Sequence, residues 1–289
     1  MGPIASGALG YSGAMKTVLV TGTSSGIGRV TAERLARDGW KVFAAVRDRA
    51  DAPVVKTGAG EVVPVVLDVT DPMSLAAAAT DVRDATGGSL DALVSNAGIP
   101  VGGALEAVEP EQLREILNVN VVGAVAVTQV LLPLLRAARG RILIVGSLGG
   151  RVAFPFAGPY HASKFALEGI ADSLRAELRP QGVTVGLVEP GPVATPIWAK
   201  ARQQVAAQRA ALDGERRELY DERLRSFEDS LRRAEEKGES PSKVAGKIAA
   251  ALEGGGARYP VGRGARTLAT LRPLLPDPVF DRLAGLVSR

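Results

Sequence analysis

The feature that most restricts this chain is the segment Thr21-Gly22-Thr23-Ser24-Ser25-Gly26-Ile27-Gly28. It joins a short apolar run, Lys16 to Thr21, to a helical stretch, Ile27 to Asp38, that Gly39 ends. Gly22 permits a tight turn, Gly26 lets backbone approach a diphosphate, and Gly28 allows close helix packing. The helix N-terminus then presents free N–H groups and a partial positive charge to phosphates. The spacing is G-x-x-x-G-x-G rather than G-x-G-x-x-G. A glycine pattern alone is weak, but one that follows a strand and opens a helix is specific. The expected phosphate cradle is Gly22, Ser24, Ser25, Gly26, Ile27 and Gly28; the bland alternative is a plain strand-to-helix turn.

The rest of the chain repeats that strand-then-helix order. Further strands are expected at Trp40 to Val46, Val62 to Leu67, Leu90 to Ser95, Arg141 to Val145 and Val183 to Val188. Helices are expected at Ser74 to Ala85, Glu111 to Ala138 and Pro159 to Leu178. The strands lack polar alternation, as expected when both faces are covered. This predicts an α/β fold: a Rossmann-like, doubly wound parallel sheet with helices on both faces. After Pro196 the texture changes. Residues 199–238 are charged and helix-forming, with Tyr220, Leu224, Phe227, Leu231 and Ala234 in one apolar stripe. The tail adds a strand at Ala257 to Val261 and a helix near Pro278 to Val287.

Composition narrows the chemistry. The chain has 289 residues, no cysteine and one histidine. A thiol nucleophile, zinc–thiolate site or iron–sulfur cluster is therefore excluded, and no metal site is expected. A Ser-His-Asp triad would have to use His161, yet the chain lacks the nucleophile-elbow pattern and a named acid partner. Aromatics are 4% of residues, which argues against a stacking platform for single-stranded nucleic acid. The net charge of +4 is confined to residues 244–289, and no dense basic run accompanies it. A solvated surface is the reading, with no nucleic-acid partner. Residues 1–14 read as a flexible leader, with Met15 a candidate start. Val119 to Leu135 is the most membrane-like run, but Asn120, Thr128, Gln129 and Pro133 interrupt it. A buried helix and no membrane span are expected, in a soluble cytoplasmic protein.

Two groups of residues point to a reaction. At the end of the second strand, Val46 stands where an acid would bond a ribose 2′-hydroxyl, and Arg47 follows. A guanidinium there suits a 2′-phosphate, which favours NADP(H) over NAD(H). Farther on, Tyr160-His161-Ala162-Ser163-Lys164 places a phenol and an ammonium at i and i+4 on one helix face. Ser147 lies just after the fifth strand and Asn120 in the long helix before it.

Taken together these motifs resemble the classical short-chain dehydrogenase/reductase family. The resemblance covers residues 15–196. It rests on the Thr21–Gly28 turn, Asp68-Val69, Ser95-Asn96-Ala97-Gly98, Asn120, Ser147, Tyr160 with Lys164, and Pro190-Gly191 with Thr195. Ser95 departs from the family's usual Asn. The resemblance implies roles. Tyr160 is the acid/base toward a carbonyl oxygen and a cofactor contact, and Lys164 holds the nicotinamide ribose and favours the phenolate. Ser147 hydrogen-bonds the reacting oxygen, and Asn120 binds a water that relays protons to Lys164. Asp68 and Val69 face the adenine, and Asn96, Ala97 and Gly98 the adenosine ribose. Pro190, Gly191, Val193 and Thr195 meet the nicotinamide amide. His161 is expected to be structural.

The resemblance also implies one domain over 15–289, with 192–240 as a substrate lid and 241–289 as an extension. Leu148, Phe154, Phe156, Ile197 and Trp198 are candidate substrate contacts. The 220–234 stripe either covers the substrate or simply packs on the domain. A weaker likeness to the hydroxysteroid and retinol dehydrogenase-like branch suggests a hydrophobic alcohol or ketone. A homodimer or homotetramer is implied, through the Glu111–Ala138 and Tyr160 helices. The alternatives are a ketoreductase for acyl or polyketide intermediates and a non-catalytic NADP(H)-sensing protein.

Overall fold

A computed structural model describes residues 15–55, 59–262 and 265–287. The proposed leader, residues 1–14, lies outside them. The order is β1 (Thr17–Thr21), α1 (Gly26–Arg37), β2 (Lys41–Val46), β3 (Glu61–Val66), α2 (Pro72–Thr86), β4 (Ala92–Ser95), α3 (Pro110–Leu117), α4 (Gly123–Ala138), β5 (Arg141–Val145), α5 (Gly158–Leu178), β6 (Thr184–Pro190), α6 (Ile197–Ala211), α7 (Gly214–Lys237), α8 (Pro241–Glu253), β7 (Arg258–Val261), α9 (Ala265–Leu271) and α10 (Asp277–Val287). The strands form one parallel sheet in the order β3-β2-β1-β4-β5-β6-β7. The order reverses beside β1, so a crevice opens there at the carboxyl ends of β1 and β4.

Both faces of the sheet are covered, which explains the unbroken apolar strands. Leu19, Ile142 and Ile144 pack with α2, α4 and α5. Their neighbours Val18, Val20, Leu143 and Val145 turn the other way, toward α1 and α8. Helix α8 was not expected from the sequence. Val244, Ile248, Ala251 and Leu252 bury it in the second layer, and Ser240 caps it by accepting from the Lys243 amide. Helix α9 was likewise unforeseen.

The helix expected to run unbroken from Glu111 to Ala138 is divided. A π-helical turn, Asn118–Val122, separates α3 from α4. Gly123 allows the close passage that follows: a Cβ there would stand 2.6 Å from the Val69 side chain. The helical stretch Pro110–Ala138 is long and apolar enough to cross a membrane by length and composition. Here Val127, Leu131 and Leu135 are fully buried against the sheet.

Helices α6 and α7 stand apart from both layers. Leu224 and Leu231 of α7 are buried with Ala201 and Val205 of α6, Ala104 and Phe156. The base of this insertion is pinned where Val193 bridges Glu239, with Ala194 N donating to Glu239 O over 2.9 Å.

Candidate active site

The glycine turn begins where β1 ends. Gly22 and Gly26 both take positive φ, 69° and 57°. Gly28 has an ordinary φ, but a Cβ on it would lie 2.2 Å from the Gly22 carbonyl oxygen and 2.5 Å from Asn96 Nδ2. It packs the helix onto the turn and does not line the cleft, as the spacing argument required. Asn96 holds the turn in place: its Nδ2 donates to Thr21 O (2.9 Å) and Gly22 O (3.3 Å). The amides of Asn96 and Ala97 both donate to Thr21 Oγ1.

A cleft of about 400 Å³ opens over this turn. Of the expected cofactor residues, Gly22, Ser24, Ser25, Gly26, Ile27, Arg47, Asp68, Val69, Asn96, Ala97, Gly98 and Thr195 line it. Asp68 Oδ1 accepts from Thr70 Oγ1 (2.6 Å) and Thr70 N (2.9 Å). These bonds, and more weakly Arg47, hold the Asp68 carboxyl below its usual range. Arg47 itself is exposed at the cleft, and no ion pair holds it among the described residues. The cleft fits an extended dinucleotide: strand ends supply open backbone, and the turn leaves no room for a Cβ. The opposite wall, with Ile99, Pro100, Glu115, Asn118 and Lys200, was not read from the sequence. These residues come from three distant segments and carry no local pattern.

A second cleft, of about 430 Å³, abuts the first and shares Ile27, Thr195 and Ile197 with it. Ser147, Tyr160, Pro190, Gly191 and Val193 line this one. So do Leu148, Phe154, Ile197 and Trp198, four of the five candidate substrate contacts. Phe156 does not. Its φ of 66° and its burial at 8% exposure place it beneath α6 and α7 instead, against Phe227 and Tyr220. The α7 stripe is divided between two surroundings. Leu224 packs in the α6–α7 cluster, while Phe227, Leu231 and Ala234 line the cleft.

Of the polar residues singled out in the sequence, Ser147 and Lys164 stand beside Tyr160, and Asn120 is linked to the same helix through Ser163. Lys164 is buried and donates from Nζ to Val145 O over 3.0 Å, with Nζ 5.7 Å from the centre of the Tyr160 ring. Burial pushes this ammonium down to about 8. Burial pushes the Tyr160 phenol up, and the Ser147 hydroxyl beside it works against that shift. Ser147 Oγ also accepts from Gly149 N over 3.0 Å. Asn120 sits in the π turn with its side chain committed: Oδ1 accepts from Ile99 N (2.8 Å), while Nδ2 donates to Ile99 O and to Ser163 Oγ (both 3.0 Å). It ties the loop after β4 to α5.

His161 also serves structure. Nε2 accepts from Phe154 N over 3.0 Å and Nδ1 meets Gly149 O at 2.9 Å, so the ring carries its proton on Nδ1. Burial holds its pKa below the usual value, against the opposing bond to the Gly149 carbonyl.

A parallel sheet with its crevice at the order reversal, a glycine turn after β1 and a Ser–Tyr–Lys group near the strand ends make up a Rossmann-like fold with two adjoining clefts, and the chain spans 60% of the length of the first curated relative it matches. The comparisons agree. The model of the short chain dehydrogenase family matches residues 16–206, and the chain belongs to that family, the short-chain dehydrogenases/reductases. It is 42% identical over 198 residues to 17-beta-hydroxysteroid dehydrogenase type 1 of Homo sapiens, a match covering 65% of this chain and 60% of that protein. It is 34% identical over 287 residues to retinol dehydrogenase 8 of Bos taurus, covering 96% and 89% of the two chains. Among solved structures, a short chain dehydrogenase from Burkholderia cenocepacia in complex with NADP aligns with TM-score 0.71 and 27% identity, covering 93% and 97% of the two chains. Another from Burkholderia phymatum, in complex with NAD, aligns with TM-score 0.75 and 25% identity, covering 90% and 93%.

Proposed function

We propose that this chain interconverts a secondary alcohol and a ketone or aldehyde of hydrophobic character, using NADP(H), with Tyr160 as the acid/base. The observation that carries the reading is the position of Tyr160 on the wall of a cleft that abuts the glycine-turn cleft and has, among the described residues, no Asp, Glu, Lys or Arg in its lining. A charged substrate would find no counter-ion there and would lose its hydration without return. An uncharged apolar one gains from burial.

The reduced nicotinamide, when bound, supplies the hydride. Tyr160 gives the carbonyl oxygen its proton, and Ser147, beside the phenol, donates a hydrogen bond to the same oxygen. The resulting phenolate needs positive charge nearby, which the Lys164 ammonium provides. Lys164 and Tyr160 are pushed in opposite directions by burial, both toward their neutral forms. Asn120 holds the end of α5 on which this pair stands. Both Nδ2 protons of Asn120 are used by Ile99 and Ser163, while Oδ1 accepts one bond, from Ile99 N.

Arg47 supports the choice of NADP(H), as an unpaired guanidinium where a ribose 2′-phosphate would lie. Helices α6 and α7 act as the substrate lid on the neck at Val193 and Glu239.

The test is a panel of free lipophilic ketones and alcohols, with carrier-bound ketones alongside, assayed with NADPH and NADP⁺ by absorbance of the reduced nicotinamide. Turnover of free lipophilic substrates is expected. Preference for carrier-bound ketones would favour the ketoreductase reading. Dinucleotide binding with no turnover of any pair would favour a sensor.

A further inference from the structure

Phe280 of α10 packs behind the second cleft without lining it. It is 6% exposed and is buried with Val152, which is fully enclosed. Leu148 and Phe154, two walls of the cleft, pack against this pair. The rings of Phe280 and Phe154 are 6.2 Å apart at 44°, within the range of favourable aromatic contact. On its other side Phe280 lies beneath the Arg272 guanidinium, 4.4 Å from the ring centre. Arg272 is itself held by Asp277 Oδ1 at 2.7 Å.

The backbone of Phe154 is fixed, because its amide donates to His161 Nε2. What remains adjustable is its ring, which is 6.1 Å from the His161 ring. His161 in turn stands 6.1 Å from Tyr160. A line of rings thus runs from Phe280 through Phe154 and His161 to the reacting phenol.

We propose that Phe280 is a specificity-determining positioning residue, which sets the width of the substrate cleft by holding the Phe154 ring against His161. The proposal rests on the reading of this cleft as the carbonyl site. Removing the Phe280 ring leaves a void behind Phe154. The Phe154 ring then retreats into the void, and the cleft widens on the wall that faces Tyr160. Bulky ketones gain room, while small ones lose contact and fit less closely. Phe280 touches neither cleft, so dinucleotide binding is unaffected.

The experiment compares wild type, Phe280→Ala, Phe280→Leu, Phe154→Ala and the Phe154→Ala/Phe280→Ala double variant. It reads kcat/KM for a small and a bulky cyclic ketone, together with dinucleotide affinity by fluorescence titration. Phe280→Ala should shift the bulky-to-small ratio of kcat/KM toward the bulky ketone by about tenfold, the scale of one or two methylene contacts in an apolar pocket. Phe280→Leu should shift it less, and dinucleotide affinity should stay within about twofold in every variant. In the Phe154→Ala background, Phe280→Ala should add no further shift. A general loss of structure lowers both rates together and leaves the ratio alone. If Phe280→Ala does not fold, Phe280→Leu carries the same comparison. The proposal is overturned if the ratio is unchanged in the folded variants, or if the two substitutions shift it independently. An unchanged ratio in a wild-type enzyme that turns over both ketones defeats this proposal alone. Absence of any turnover by wild type, with dinucleotide binding intact, defeats the carbonyl site as well.

Discussion

The two clefts that meet at Ile27, Thr195 and Ile197 are built by different means. The cofactor cleft is made of strand ends and a turn, and its shape is set by backbone. A single added methyl at Gly28 would strike a carbonyl oxygen at 2.2 Å. Its lining also carries fixed charges: Arg47, Asp68, Glu115 and Lys200. The second cleft has one wall from the sheet and another from α6 and α7, and among the described residues no Asp, Glu, Lys or Arg lines it. Side chains hold that insertion: Gln208 bonds to Ala104 and Ala107, Trp198 Nε1 donates to Val193 O, and Arg202 pairs with Glu235. Backbone geometry suits a ligand that never changes. Side-chain packing is what substitutions can retune, so the second cleft is where chains of this fold can diverge.

If that contrast is right, the largest effect comes from the backbone-built side. Gly28→Ala forces the turn apart and should weaken dinucleotide binding by about 100-fold, while overpacking costs about 1–3 kcal/mol of stability. Fluorescence titration and urea unfolding measure the two, and an unchanged affinity would break the contrast. Arg47→Asp is next. The loss of a charged hydrogen bond is about 1.5–3 kcal/mol, so the NADP(H)/NAD(H) preference should fall by about 10- to 100-fold. An unchanged ratio would remove Arg47 from the cofactor site.

A smaller effect is expected on the side-chain-built side. Gln208→Ala loses bonds of 2.7 and 2.8 Å to the loop before α3. Lid closure should weaken by about 1 kcal/mol, raising KM for the ketone a few-fold with dinucleotide affinity intact.

A pH dependence tests the environment of Lys164, beside Tyr160. Lys164 titrates at about 8 in the folded protein against 10.5 when free. Its burial penalty is therefore complete below the folded value and absent above the free one. Between the two the unfolded chain binds more protons, so Lys164 makes stability rise with pH across that window. Lys164→Met should flatten the rise, as read by denaturant midpoints.

The same division governs what the sequence revealed. The glycine turn was legible because Gly22, Gly26 and Gly28 answer local backbone demands. Tyr160 and Lys164 were legible because helical spacing puts them on one face. The six strands through β6 followed from buried apolar runs, and β7 from a weaker one. The π turn at Asn118–Val122 was hidden, since its cause is the distant Ile99 backbone to which Asn120 bonds. Phe156 was misplaced because proximity in sequence to Ser147 and Tyr160 says nothing about its φ of 66°, which turns its ring beneath α6 and α7. Helix α8 carried a readable signal, the Ser240-Pro241 start with Val244, Ile248 and Leu252 on one face, that was overlooked. The far wall of the cofactor cleft, Glu115 to Lys200, had no such signal because tertiary folding alone assembles it.

In the proposed reaction Tyr160, on the wall of the second cleft, moves the proton, and dinucleotide binding rests mainly on the first cleft. The most direct measurement compares wild type with Tyr160→Phe, titrating NADPH by fluorescence and measuring ketone reduction on the same preparation. Turnover should fall by about 10³-fold, within the usual range for a lost general acid, with NADPH affinity unchanged. Undiminished turnover in the phenylalanine variant would contradict the account.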